Sequence, residues 1–294
     1  MNRSLPSSST GSDLSWNSNN GDGDDAYPII FRNNSFVKSK NSSNEENIYS
    51  ISDVFSIYLT ENYNKDIILI TSYMISILIP IYNGIELLDQ SITSVFRQTF
   101  TDWEVIIGVN GHPPGSDVFQ QAKVYENAKV RVLDLHTIRG KSNALNEMIK
   151  HCKYDYVALL DVDDIWLPDK LDVQMIYLVD FKYDVVGSRC VYFGDMENIV
   201  PDIPVGNISD MDFRKVNPII NSSAVIRKEL CNWVEKFEGI EDYDLWLRLR
   251  YKKSKLQFFN CNDVLVKHRI HKKSAFNSNG TNHMKVADLV KEYL

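Results

Sequence analysis

An α/β fold with a mainly parallel central sheet flanked by helices is predicted by three observations. Short β-branched apolar runs alternate with segments of helical period, each run ends in a turn-forming or polar residue, and the fourth run delivers Asp161, Asp163 and Asp164 at its end. Strands buried on both faces by crossover helices read as continuous apolar runs, and ligands of such sheets gather beyond the carboxyl ends of the strands.

The elements follow in order. Residues 1 to 47 are rich in Ser, Asn, Gly and Asp, and their few apolar residues show no period, so this stretch is expected to be a disordered tail. Ile48 to Leu59 is a short amphipathic segment of either type. Ile75-Ser76-Ile77-Leu78-Ile79-Pro80 reads as a buried strand closed by Pro80 and the turn Asn83-Gly84. Leu87 to Gln98 is a helix with Leu87, Leu88, Ile92, Val95 and Phe96 on one face. Strand Trp103 to Val109 is broken by Asn110-Gly111-His112-Pro113-Pro114-Gly115, and a helix over Asp117 to Glu126 leads into strand Val130 to Leu135. A Gly-initiated helix, Lys141 to His151, precedes strand Tyr154 to Leu160. The main domain is read as 48 to 276 and a helical extension as 277 to 294. Val286, Leu289, Val290 and Leu294 there form an apolar stripe that either caps the domain or makes a homo-oligomer contact.

Composition excludes several classes. A net charge of -7 argues against a nucleic-acid partner, which needs a basic surface to displace counterions. Cys152, Cys190, Cys231 and Cys261 are scattered and form no C-x-x-C pair, so they read as buried thiols. Met1 to Asn20 lacks an apolar h-region, and Ile67 to Tyr82 is too short and too polar for a transmembrane segment. A soluble, cytoplasmic protein is expected, with the N-x-S/T tripeptides at Asn33, Asn41, Asn207, Asn221 and Asn279 carrying no weight.

Asp is a poor strand residue and costly to bury unpaired, so Asp161-Val162-Asp163-Asp164 at a strand's end points to a held cation or a reacting group. The alternative is an acidic turn leading into a helix at Leu167-Pro168-Asp169-Lys170.

Six segments in register carry a family resemblance. They are Ile77-Leu78-Ile79-Pro80-Ile81-Tyr82-Asn83, Ser94-Val95 with Gln98-Thr99, Glu104-Val105-Ile106, Asn143-Ala144-Leu145-Asn146, Leu160-Asp161-Val162-Asp163-Asp164 and Glu241-Asp242-Tyr243-Asp244-Leu245-Trp246-Leu247-Arg248. Over about residues 75 to 276 the chain resembles the family 2 glycosyltransferases of the GT-A, Rossmann-like nucleotide-diphospho-sugar transferase fold. The resemblance implies an inverting transfer from a nucleotide-sugar donor, a UDP-sugar being favoured, to a glycan or glycoconjugate acceptor, with Mn2+ or Mg2+ as cofactor.

Residue by residue, the resemblance puts the nucleotide against Pro80, Tyr82, Asn83 and Asn110, the last standing where the family usually has Asp. The Asn110 carbonyl still accepts from a uracil N3–H. Asp163 is the first choice for metal contact, with Asp161, which lies near ribose and diphosphate, a second candidate ligand, and His271 of Arg269-Ile270-His271 completes the metal shell, meets a phosphate, or is a plain loop histidine. Arg139 and Lys141, at a helix start, hold the diphosphate or are solvated loop charges. The catalytic base falls on Asp242, with Glu241, Trp166 and Asn221 on the acceptor side. Asn217 to Lys228 is similar to the family's strand beneath the acceptor, or is a core strand only. His268, His136 and His112 are read as loop or surface residues.

Two other classes compete. A haloacid-dehalogenase-like phosphatase also carries D-x-D after an apolar strand, but near its domain start and without Ile165 at that place. A catalytically silent nucleotide- or glycan-binding module of the same fold would bind without turnover.

Overall fold

The computed structural model describes residues 29–32, 35–38, 47–49, 73–237, 239–253, 255–271 and 281–294. The chain separates into two compact units, Met1–Thr71 and Ser72–Leu294.

In the first unit, β1 (Ile29–Arg32), β2 (Ser35–Lys38) and β3 (Asn47–Tyr49) form a three-stranded antiparallel sheet. This differs from the structureless tail expected over 1–47. The strand segments IIFR, SFVK and NIY are rich in β-formers, too short to stand out in their Asn/Ser-rich surroundings. The rest of the expected tail, and Ser50 to Leu59 of the amphipathic segment, lie outside the described residues.

The second unit is built on a nine-stranded sheet. Its strands are β4 (Ile75–Ile81), β5 (Trp103–Asn110), β6 (Val130–Leu135), β7 (Tyr156–Leu159), β8 (Ile165–Trp166), β9 (Val185–Gly194), β10 (Gly206–Asn207), β11 (Val225–Arg227) and β12 (Phe258–Ile270). They run β10-β12-β9-β11-β7-β4-β5-β6, with β8 added on β12. The quartet β7-β4-β5-β6 is parallel, β11 is antiparallel to both β7 and β9, and β12 is parallel to β9.

Helices cover both faces, which is why β4 and β5 are apolar almost throughout. Ile75, Ile77, Ile79 and Ile81 of β4 pack with α1 (Leu88–Phe96), α2 (Asp117–Lys123) and α4 (Lys170–Val179). Leu78 and Ile106 point the other way, toward α3 (Lys141–Met148), α5 (Glu241–Lys252) and α6 (Thr281–Lys291). Helix α3 approaches β5 closely because Gly108 lacks a side chain; a β-carbon there would stand 2.5 Å from Met148 Sδ.

Helix α6 is part of this unit rather than an appendage. Leu289 is fully buried in the core, and Tyr293 donates its hydroxyl to Asp244 Oδ1 at 3.3 Å. Of the two roles expected for the apolar stripe, capping the domain is the one observed. Cys152, Cys190 and Cys261 are buried free thiols and Cys231 is half-buried, as expected.

Candidate active site

The end of β7 sets the first part of the site. Leu160 still bonds to the Leu78 carbonyl, after which Asp161–Asp164 turn tightly, the Asp164 N–H donating to the Asp161 carbonyl at 3.1 Å. Strand β8 then leaves antiparallel to β12.

The three aspartates have different partners. Asp161 accepts from Lys141 Nζ at 2.6 Å and, through both oxygens, from Asn221 Nδ2 at 3.0 Å. Burial pushes its pKa up, but Lys141 and Asn221 outweigh that and hold it below the usual carboxylate range. Asp163 stands 3.0 Å from His271 Nε2. Its pKa is raised by burial and by the neighbouring charges of Asp164 and Asp161. Asp164, 1% exposed, is 3.0 Å from His268 Nδ1 and accepts the Arg269 backbone N–H at 2.8 Å. Burial opposes the imidazolium of His268, yet Asp164 brings its pKa up to about 9, so the imidazole is charged at neutral pH. Arg269 Nε donates to the Asp163 carbonyl at 2.8 Å, so β12 clamps the aspartate turn from one side. His268 is thus a strand residue anchoring the cluster, not the loop or surface histidine expected.

Among the described residues no three His, Cys, Asp or Glu side chains converge as a metal site. Asp161, expected as a ligand, has its carboxylate taken up by Lys141 and Asn221. Asp163 and His271, 3.0 Å apart, offer an oxygen and a nitrogen donor. This pair fits a divalent ion whose other ligands are phosphate oxygens and water.

A cavity of about 430 Å³ opens beside the cluster. It is lined by Pro80, Tyr82, Asn110 and Gly111 and by Arg139, Gly140, Lys141, Gly239 and Glu241. Asn110 closes β5 and is 2% exposed. Gly111 adopts φ 74°, and a β-carbon on it would lie 2.9 Å from Tyr82 Cε2, so glycine lets the tyrosine ring lie close to the backbone. The other neighbour of that ring is His112, with ring centroids 5.4 Å apart. Asn83, expected beside Tyr82, is exposed in the following turn and does not line the cavity.

Lys141 joins the two halves of the site. Its ammonium, 2.6 Å from Asp161, also lies 3.2 Å from Glu241 Oε1. Burial works against this charge, but Asp161 and Glu241 prevail and hold the lysine above its ordinary pKa. Glu241 is buried and accepts the Gly239 N–H at 2.6 Å. Asp242 follows in the acidic first turn of α5, where the helix dipole favours carboxylates, and accepts from Asn217 Nδ2 at 3.1 Å. Burial and the Glu241 charge raise its pKa to about 6, against the pull of Lys141.

Two residues expected on the acceptor side are engaged with other partners. Trp166 is buried in the core and donates its indole N–H to the Ser222 carbonyl at 2.8 Å. Asn221 turns to Asp161 instead. Both are polar side chains at strand ends whose partners come from distant sequence, so spacing alone gave no sign of them. Segment Asn217 to Lys228 contains only the short β11, paired between β7 and β9, preceded by the 3-10 turn Asn221–Ser223.

Comparison with known proteins accords with this geometry. The model of glycosyl transferase family 2 matches residues 76–232. The O-antigen biosynthesis glycosyltransferase WbnJ of Escherichia coli is 29% identical over 213 residues, 68% of this chain and 81% of that protein. A second relative from the same organism, the UDP-Glc:alpha-D-GlcNAc-diphosphoundecaprenol beta-1,3-glucosyltransferase WfgD, is 26% identical over 69% of this chain and 79% of its own length. Among solved structures, S. aureus TarS 1-349 in complex with UDP-GlcNAc superposes with a TM-score of 0.57 at 16% identity, over 74% of this chain and 65% of that one. The mannosyltransferase PcManGT of Pyrobaculum calidifontis, in complex with GDP-Man and Mn2+, gives 0.53 at 16% identity over 76% and 65%. At such identity these two show the GT-A type of fold alone, and the chain spans just under two thirds of each. The family match sets the phosphatase alternative aside: this chain belongs to glycosyl transferase family 2.

Proposed function

We propose that the protein transfers a sugar, with inversion, from a UDP-sugar to a hydroxyl of a glycan or glycoconjugate, using a divalent cation. The observation that carries the reading is the set of groups around one cavity: a tyrosine, a buried asparagine and a half-buried lysine, and next to that lysine's partner Glu241 the carboxyl of Asp242, pushed up to about 6. UDP is favoured by the donor in the name of one relative, UDP-Glc.

In this reading the nucleobase lies against Tyr82 with Asn110 accepting from its N–H, and Arg139 and Lys141 neutralise the diphosphate. Asp163 and His271 are the residues that would hold the cation, which when bound supplies electrostatic stabilisation of the departing diphosphate. Asp242 takes the proton of the acceptor hydroxyl as its oxygen bonds to the anomeric carbon and the bond from that carbon to the diphosphate oxygen breaks. A carboxylate with pKa near 6 is ionised at pH 7 and yet more basic than an ordinary aspartate, which suits a general base. Asn217, bound to Asp242, orients it.

A thermal-shift panel of nucleotide sugars with Mn2+ tests the donor assignment. A UDP-sugar at about 100 times its Kd is expected to stabilise the fold by roughly 2.7 kcal/mol. A shift with GDP-sugars only would move the base preference, and no shift with any nucleotide sugar would overturn the reading.

A further inference from the structure

Helix α4 carries a buried polar residue whose hydrogen bonds lead toward the aspartate cluster. Gln174 is completely buried. Its Nε2 donates to the carbonyls of Ser223 at 2.8 Å and Val186 at 3.0 Å, and its Oε1 accepts from the buried Lys170 Nζ at 2.6 Å. Two carbonyls only accept, so the amide nitrogen must face them, and the lysine fills the remaining place at the oxygen. The orientation of this amide is therefore determined.

What the amide holds is the 3-10 turn Asn221–Ser223. Trp166 Nε1 grips the same turn at the Ser222 carbonyl, and Ser223 Oγ accepts the Ser188 N–H at 3.2 Å. The turn faces Asp161 in two ways: Ser222 Oγ accepts the Asp161 N–H at 3.1 Å, and Asn221 Nδ2 reaches both carboxylate oxygens. Asn221 Oδ1 is buried without a hydrogen-bond partner among the described residues. The Asn221 side chain is thus oriented by its contact with Asp161 and by the backbone of its turn. The bonds to the Ser222 and Ser223 carbonyls hold the backbone of that turn.

We propose that Gln174 is a positioning residue for the donor site: through the Asn221–Ser223 turn it fixes Asn221 against Asp161, and with it the Asp161–Lys141 contact at the cavity. This rests on the reading that the Asp161–Lys141 side of the cavity takes the donor diphosphate. Gln174 itself lines no part of the cavity.

The test is a double-mutant cycle on UDP affinity, measured by calorimetry with Mn2+ on Gln174→Leu, Asn221→Ala and the pair. Each single change is expected to weaken binding about tenfold, the usual size for a residue supporting a site ligand. The pair is expected to be no weaker than the worse single, because both act through one contact. Additive losses, or a folded Gln174→Leu protein with wild-type affinity, would overturn the proposal. Should Gln174→Leu fail to fold with Lys170 left unpartnered, Lys170→Met/Gln174→Met removes both members of that pair and serves in its place. Exchange of the Asp161 amide proton, read by NMR, decides the point without any nucleotide. It should quicken at least tenfold in the Gln174 variant while the Val105 amide in β5 is unchanged, and equal protection of Asp161 in variant and wild type would refute the link. A wild type that binds no nucleotide would remove the donor reading, with the exchange result still deciding the positioning role.

Discussion

Replacing Asp242 by Asn should make the protein more stable and less active at once. Partial burial and the neighbouring Glu241 charge push the half-buried Asp242 carboxyl up to about 6, against an ordinary value of 3.8. Between those values the folded protein binds more protons than the unfolded chain, so stability falls as pH rises through the window. Above pH 6 the ionised group carries the whole penalty, and below 3.8 none. A shift of about two units corresponds to roughly 3 kcal/mol as an upper figure. In a domain of this size that is a rise in Tm on the order of 6–12 °C at pH 7.5 for Asp242→Asn, fading to nothing near pH 3.5. The same variant loses the proton acceptor but keeps the size and polarity of the side chain, so donor affinity should persist while transfer falls by about 10² to 10⁴. For the wild type, kcat/KM should rise with pH to a plateau, with the limb near 6. Calorimetric Tm across pH and turnover at equal donor occupancy are the assays. Near wild-type transfer by Asp242→Asn would refute the base, and an unchanged Tm at pH 7.5 would refute the buried charge.

Other outcomes follow from the same contacts. Asp163→Asn should weaken UDP binding tenfold or more in Mn2+ and leave it unchanged in EDTA, as titration calorimetry would read; equal effects in both media would move the cation elsewhere. Lys141→Met leaves Asp161 and Glu241 without their shared cation; chemical denaturation should show a loss smaller than the roughly 3–5 kcal/mol of a fully buried pair, and Glu241→Gln in that background should recover part of it. Burial lowers the Lys170 pKa to about 7. The unfolded chain therefore binds the extra proton between about 7 and 10.5, and stability should climb with pH over that window at under about 1.4 kcal/mol per unit. The Trp166 face 4.1 Å from the ammonium favours the charged form and reduces the slope. In Lys170→Met the slope should vanish; an equal slope in variant and wild type would show that other groups titrate there.

The parallel half of the fold was legible because its strands are buried on both faces, which writes Ile75 to Ile81 and Trp103 to Asn110 as unbroken apolar runs. Strands β9 and β12 were not foreseen. They carry Ser188 and Arg189, and Asn262, Asp263, Lys267, His268 and Arg269, which break any apolar alternation, and in β12 some of those residues hold the aspartate turn. The carboxylate cluster was visible from its spacing at a strand end. Its partners were not: His268 and His271 lie 104 and 108 positions away from the aspartates they meet, and only the sheet order brings β12 to β8. Lys141 was found as a charge at a helix start, whereas its contact with Glu241 depends on α3 and α5 lying on one face of the sheet. For Trp166 and Asn221 the converse holds: an indole and an amide near a binding motif look like ligand contacts, and here they bond to the Ser222 carbonyl and to Asp161.

The central claim is that the chemistry at this cavity breaks the bond between the anomeric carbon and the diphosphate oxygen. It is tested most directly by letting the enzyme turn over a UDP-sugar with Mg2+ in 18O-labelled water, without an added acceptor, and locating the label by mass spectrometry and 31P NMR. The account predicts unlabelled UDP and a free sugar carrying 18O at its anomeric oxygen, with both products formed about 10² to 10⁴ times more slowly by Asp242→Asn. Label in UMP, sugar phosphate or inorganic phosphate would show attack at phosphorus and contradict it, as would saturable UDP-sugar binding with no turnover.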